Sequence, residues 1–177
     1  MLRLAGIVAL FVLAACSQTS ARVEPSPSPV IPEGNWGQNL TLSGDLPGRI
    51  TAIVADQGTQ QTFCSGAKAR NGETWADSFY ATVDGSGTEW QVSIVIENFR
   101  GPGTYTDRDV QVALQSPDNS RTWLNQGADP TQSLASDKVM FTITRSQQSG
   151  TMDAMLSNAA SGKRGAEHMT GSWNCRG

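Results

Sequence analysis

The residues that could perform chemistry in this chain are few, and they begin with its single histidine. His168 is the only imidazole among 177 residues, so a Ser-His-Asp triad could be built only through it. The Gly-x-Ser-x-Gly turn that presents a nucleophilic serine in many hydrolases does not accompany it. The alternation of its neighbours places His168 on the strand face opposite Met169 and Trp173. We therefore expect a surface imidazole and keep a hydrolase as an alternative function.

A second group of charges consists of Asp107, Arg108 and Asp109. Paired carboxylates can transfer protons or bind a cation, so Asp107 and Asp109 are the other residues that a hydrolase would use. In an acidic chain with a net charge of −3, such residues are more often solvated on a loop. The sequence predicts no catalytic residue, no metal site and no cofactor.

The N-terminus carries the pattern of an export signal. Met1-Leu2-Arg3 is followed by an apolar stretch from Leu4 to Ala15 and then by Cys16. An apolar run this short is typical of a signal peptide and not of a membrane span. The residues Leu13-Ala14-Ala15-Cys16 resemble the lipobox of bacterial lipoproteins, in which the cysteine is acylated and becomes the new N-terminus. The resemblance implies a signal peptide at 1–15 and lipidation of Cys16.

The remaining cysteines, Cys64 and Cys175, are expected to form a disulfide, because a lone pair outside the cytoplasm is most simply oxidised. The alternation of the last strand places Cys175 on the same face as Trp173, toward the core. A metal pair and a reactive thiol are the alternatives. Two cysteines with one distant histidine make a poor metal site.

Composition divides the mature chain into a tether and a domain. Residues 16–34 hold the acylated cysteine and a Pro/Ser-rich stretch without apolar periodicity, which predicts a disordered, extended tether. Residues 35–177 are predicted to form a single β domain. The mild acidity and the absence of a basic run argue against nucleic acid as a partner. They also provide no attraction to anionic lipid, so membrane attachment depends on the acyl chains.

The domain sequence alternates between apolar and polar residues in short runs that Gly-, Asn-, Asp- and Ser-rich turns separate. The clearest runs are Trp90–Glu97, Lys138–Arg145, Thr151–Asn158 and a last strand that ends at Cys175. Alternation with one buried face predicts an all-β fold, an antiparallel β-sandwich or flattened barrel. The weaker candidates are Leu40–Leu42, Arg49–Ala55, Gln60–Ser65, Asp77–Val83, Gly103–Thr106, Asp109–Gln115 and Arg121–Asn125. A helical turn is expected only at Asp129–Leu134.

The five tryptophans fall into two groups. Trp90, Trp123 and Trp173 lie in strand-like runs and are predicted to be core residues. Trp36 and Trp75 lie near turns, where an exposed aromatic ring often contacts a sugar or a protein. These two residues are therefore the candidate ligand contacts.

The stretch Phe99-Arg100-Gly101-Pro102-Gly103-Thr104-Tyr105, with a closing Gly171-Ser172-Trp173-Asn174-Cys175, carries a further resemblance. It is similar to a pattern in small bacterial lipoproteins of uncharacterised activity, and the early cysteine, late cysteine and tether are distantly similar to the mycobacterial lipoprotein-antigen family. The resemblance implies a β-sandwich on an envelope tether and transfers no catalytic residue. In the turn itself, Gly101 and Gly103 permit a sharp reversal and Tyr105 is expected to cover the corner.

These observations predict a monomeric binding or interaction module and not an enzyme. The lipid anchor places it at the cell membrane on the extracytoplasmic side, or at the outer membrane of a host with two membranes. Its expected partners are the membrane and an envelope protein or glycan. The alternatives are an extracytoplasmic hydrolase and a carrier of a small apolar ligand, which would need a cavity inside the domain.

Overall fold

The computed structural model describes residues 37–54, 62–125 and 138–175. The predicted signal peptide, Cys16, the predicted tether, Trp36 and the helical turn predicted at 129–134 lie outside the described residues. The described part contains a short 3₁₀ helix, Gly66–Lys68, which the sequence analysis did not anticipate. No helix in these residues has the length and apolar character needed to cross a bilayer.

The described residues fold into 11 strands of one curled antiparallel sheet, so the all-β prediction is confirmed. The curl makes the sheet a half-barrel. The strands are β1 (Gln38–Gly44), β2 (Gly48–Ile50), β3 (Phe63–Cys64), β4 (Trp75–Thr82), β5 (Glu89–Ile96), β6 (Gly103–Thr106), β7 (Gln111–Gln115), β8 (Thr122–Leu124), β9 (Val139–Ile143), β10 (Ser149–Asn158) and β11 (Glu167–Asn174).

The sheet has two halves that share the longest strand, β10. Its first part, Gly150–Ala154, pairs with β9, and its last residues, Ser157 and Asn158, pair with β8. One half runs β2-β1-β11-β10, with β9 and β6 branching from β10, and the other runs β8-β7-β5-β4-β3. Because β10 belongs to both halves, their inner faces enclose one core.

Strict alternation explains why these strands form. In β5 every second residue is buried, from Trp90 to Ile96, and β4 opposite it has the same period. Side chains of a strand point alternately to its two faces, so such a pattern buries one face completely. The four clearest predicted strands are all present, with ends that lie within two residues of the prediction.

Aromatic rings fill the centre of the core. The ring centroids of Trp75, Phe141 and Trp173 lie 5.1 to 5.6 Å apart, and Trp90 packs on Trp123 at 5.6 Å. The predicted core tryptophans are thus confirmed. The prediction that Trp75 is exposed for ligand contact is wrong, because its side chain is 0 % exposed. Trp75 is the first residue of β4 and points inward, although a turn precedes it.

The Gly-Pro-Gly turn before β6 has the form that the sequence predicts. The hydroxyl of Tyr105 donates a 2.6 Å hydrogen bond to the carbonyl oxygen of Gly101 and accepts one of 2.9 Å from the amide of Arg100. Gly101 has a φ of 90°, which favours glycine. Tyr105 therefore fastens the corner through which the chain passes from β5 to β6.

The predicted disulfide is present. Cys64 and Cys175 lie at disulfide-bonding distance, with their Cα atoms 6.2 Å apart and 111 residues between them in sequence. Cys64 belongs to β3, at the edge of one half of the sheet, and Cys175 directly follows β11 in the other half. The bond therefore joins the two halves opposite their shared strand.

Candidate functional site

A cleft of about 480 Å³ lies on the outer face of the half-sheet that contains β1, β9, β10 and β11. Hydroxyl side chains dominate its wall: Thr51, Thr142, Thr144, Ser149, Thr151 and Ser172. Carboxamides supply most of the remainder: Gln38, Asn39 and Asn174. Among the described residues that line this Thr-rich cleft, none carries a charge, and Trp173 is the one aromatic residue.

The strand register places these polar groups in a row. Thr142 of β9 is opposite Thr151 of β10, Thr151 is opposite Ser172 of β11, and Ser172 is opposite Asn39 of β1. Cross-strand neighbours lie on the same face of a sheet, about 5 Å apart. Four strands thus present four neutral polar side chains in one line across the outer surface.

Hydrogen bonds fix part of this row. The hydroxyls of Thr142 and Thr151 are 2.7 Å apart, and the Thr142 hydroxyl also accepts a 2.8 Å hydrogen bond from the amide of Thr151. The indole nitrogen of Trp173 donates to the carbonyl oxygen of Thr142 at 3.2 Å. The cleft wall is therefore tied to the aromatic core beneath it.

Gln38 supplies an acceptor without a partner. Its side chain is 3 % exposed, and its Nε2 donates to the carbonyl oxygen of Asn174 at 3.2 Å. Its Oε1 has no hydrogen-bond partner among the described residues. An unsatisfied buried acceptor costs about 1–3 kcal/mol, so a ligand hydroxyl that reached this oxygen would recover a hydrogen bond.

Gly150 allows close packing between the wall of the cleft and the core. A Cβ atom at this position would overlap the carbonyl oxygen of Thr142 and would lie 2.8 Å from Nε1 of Trp173. A side chain there would push apart β9 and β11, the strands on either side of β10. Only glycine permits the close approach that places the Trp173 indole under the cleft.

His168 lies on the outer face, as predicted, and is half-buried. Its Nε2 is 2.8 Å from Oδ1 of Asp153 on β10, and both residues line a smaller, mostly apolar cleft of about 370 Å³ with Met140 and Met155. An aspartate that orients a histidine is one part of a catalytic triad. None of the residues described along this cleft is a serine, threonine or cysteine that could act as the nucleophile.

Asp109 and its neighbours form a different site. Oδ1 of Asp109 is 3.0 Å from a guanidinium nitrogen of Arg100, and this hydrogen bond holds the pKa of the Asp109 carboxyl below its usual range. Arg100, Arg108 and Asp109 line a third cleft of about 210 Å³, which does not include Asp107 or His168. The structure thus places His168 and Asp109, the alternative hydrolase residues, in separate clefts, and Asp107 lines neither of these two clefts.

A fourth feature, buried and absent from the predicted sites, is Asp77. Its side chain is 0 % exposed, neither carboxylate oxygen has a hydrogen-bond partner among the described residues, and burial raises its pKa to about 8. Asp77 is opposite Cys64 in the β3–β4 pairing. Its position in the alternation of β4, between the inward residues Trp75 and Phe79, is the sequence signal that could have revealed it.

A scan against protein-family models found no match to this chain, and searches of curated proteins and of solved structures found none either.

Proposed function

We propose that this protein is a binding module of the cell envelope, and that the Thr-rich cleft takes a neutral, hydroxyl-rich ligand of the saccharide class. The observation that carries this proposal is the row of uncharged hydroxyl and amide groups across β9, β10, β11 and β1. Binding sites usually combine a concave surface with a few polar groups that fix ligand orientation.

The chemistry of the lining favours a sugar over a charged ligand. Hydroxyl and carboxamide groups both donate and accept hydrogen bonds, as do the hydroxyls of a saccharide. A phosphate or carboxylate ligand would leave its charge without a counter-ion among the described lining residues, which is costly when water is displaced. The free Oε1 of Gln38 adds a buried acceptor for one ligand hydroxyl.

The proposal includes the location that the N-terminal pattern indicates. Acyl chains on Cys16 would hold the protein at the membrane on its extracytoplasmic side, and the Pro/Ser-rich tether would separate the domain from the lipid surface. In this arrangement a monomer reaches envelope glycans while it stays attached to the membrane.

A blocking substitution tests the cleft. Ser172 is exposed and lies in the middle of the polar row, so Ser172→Trp should fill the cleft without entering the core. Calorimetric titration with a panel of neutral oligosaccharides should detect a ligand for the natural protein, and Ser172→Trp should weaken its binding by at least about tenfold. Ser43→Trp is the matched control, because Ser43 is an exposed β1 serine that does not line the cleft.

Three results would count against the saccharide proposal. The first is that no neutral oligosaccharide binds, and the second is that acidic oligosaccharides bind equally well. The third is that Ser172→Trp and Ser43→Trp reduce binding to the same extent, which would locate the ligand elsewhere.

Lipidation is tested separately by mass and fractionation. The protein from its host membrane should have lost residues 1–15 and gained the mass of acyl chains on Cys16, and Cys16→Ala should move it from the membrane to the soluble fraction. Intact mass spectrometry and membrane fractionation measure the two effects. An unmodified Cys16 in a membrane-bound protein would contradict the anchor.

A further inference from the structure

The interior of the domain brings together three side chains whose atoms are ligands for metal ions. The sulfur atoms of Cys64 and Cys175 and a carboxylate oxygen of Asp77 lie within 4.8 Å of one another, and all three residues are buried. They come from three separate positions: β3, the residue that directly follows β11, and the third residue of β4. No sequence pattern groups Asp77 with the cysteines, since it is 13 residues from Cys64 and 98 from Cys175 in the chain.

Asp77 is an unusual buried carboxyl group, because no hydrogen bond from the described residues reaches it. Both of its oxygens are buried and have no hydrogen-bond partner in the part of the chain that the structure describes. Burying a carboxylate without a partner is so costly that buried charges in proteins are generally paired or coordinate a metal. Among the described His, Cys, Asp and Glu side chains, those of Cys64 and Cys175 group with it at ligand distance.

We propose that Cys64, Cys175 and Asp77 form a Zn²⁺ site when the disulfide is reduced. Two thiolates and one carboxylate form a ligand set that zinc accepts, whereas Mg²⁺ and Ca²⁺ require oxygen ligands. Three protein ligands leave the fourth tetrahedral position for another donor. The disulfide and the zinc site are therefore alternative states of the same pair of cysteines.

The conversion between the two states balances with a dithiol as the reductant. The dithiol transfers two electrons and two protons to the disulfide, becomes a cyclic disulfide itself, and leaves two thiols on Cys64 and Cys175. Zinc then displaces the two thiol protons and the proton of the Asp77 carboxyl. An oxidised dithiol reverses the sequence and releases the ion.

The cluster lies close enough to the surface for this exchange. Cys64 is 6 % exposed and belongs to the two-residue strand β3, which is the last strand of its half of the sheet. Short edge strands open more readily than central strands. The Cys64 sulfur is thus the more accessible sulfur for an attacking thiolate, and β3 is the route by which an ion would enter.

Titration of the reduced protein with Zn²⁺ alone tests the site. The natural chain is reduced, freed of reductant without oxygen, checked for folding by near-ultraviolet circular dichroism, and titrated against a competing chelator. We expect one Zn²⁺ per chain for the reduced protein and none for the oxidised protein. Asp77→Asn keeps the shape of the side chain and should weaken binding by at least about tenfold, because loss of even an outer partner of a metal ligand has that effect.

Further variants separate coordination from folding. Asp153→Asn removes an exposed carboxylate on β10 that does not belong to the cluster, and it should leave the affinity unchanged. Replacement of Zn²⁺ by Co²⁺ should produce thiolate-to-metal absorption, and its coordination bands should change in Asp77→Asn. Equal affinity of the natural chain and Asp77→Asn, or binding that persists unchanged in concentrated urea, would overturn the proposal.

Discussion

The disulfide-bonded Asp77→Asn variant should become progressively more stable than the natural protein as the pH rises. Burial raises the pKa of Asp77 in the folded protein to about 8 from an ordinary value of 3.8. Between these values the unfolded chain has lost the proton that the folded protein retains, so stability falls as pH increases. The contribution of the neutral acid is fully present below 3.8 and is lost as the pH rises through about 8.

The size of this effect follows from the exchange of one proton. Each pH unit inside that window can change the free energy of unfolding by up to about 1.4 kcal/mol. Asparagine cannot ionise, so the variant lacks this dependence. Urea unfolding of both proteins at several pH values between 4 and 8, with a chelator present, should give two curves that diverge as the pH rises.

Other carboxyl groups do not disturb the comparison. The pKa of Asp45, Asp109 and Asp118 is lowered, chiefly by side-chain hydrogen bonds, and burial raises the pKa of Glu167. These groups titrate in both proteins, so their contributions cancel in the difference. Parallel stability curves would mean that the Asp77 carboxylate is charged and compensated in the folded protein.

The second large effect is expected from loss of the disulfide. Cys64→Ala with Cys175→Ala removes a cross-link across 111 residues, and the free energy of unfolding should fall by about 2–5 kcal/mol. Alanine leaves no buried polar atom, so the loss reflects the cross-link and its packing. Urea unfolding with and without a reductant measures this change.

The reductant provides the control for this experiment. It should lower the stability of the natural protein, with a chelator present, toward that of the double variant, and it should leave the double variant unchanged. Equal midpoints for the oxidised natural protein and the double variant would show that the bond adds no stability. Asp77 lies beside the bond, so Asp77→Asn and loss of the disulfide should not be additive.

Local patterns predicted most of the fold. Alternation located β5, β9, β10 and β11, because a strand with one buried face has a period of two that is visible in a single sequence. Cysteine counting and strand parity predicted the Cys64–Cys175 pair without knowledge of the sheet order. The reversal at Gly101–Gly103 was also predictable, since its conformation depends on adjacent residues.

The features that the sequence does not predict correctly depend on how strands distant in the chain pair with one another. The turn before Trp75 predicts a surface position, whereas Trp75 pairs with Ile96 in β5 and its side chain points inward. The grouping of Asp77 with the cysteines is not visible in the sequence, because its neighbours in space come from β3 and from the residue that follows β11. The Thr-rich cleft could not be predicted either, because its row exists only when β9, β10, β11 and β1 pair in one register.

The pairing of β1 with β11 has a consequence for how the chain folds. Gln38 is opposite Trp173, and Leu40 is opposite Gly171, so the first described strand finds its partner in the last. Two strands this distant in sequence pair slowly during folding, because the chain loses conformational entropy before the contacts between them form. Until β11 has formed, β1 pairs with β2 along one side and leaves its other side open. Completion of the cleft that β1 helps to line therefore waits for β11.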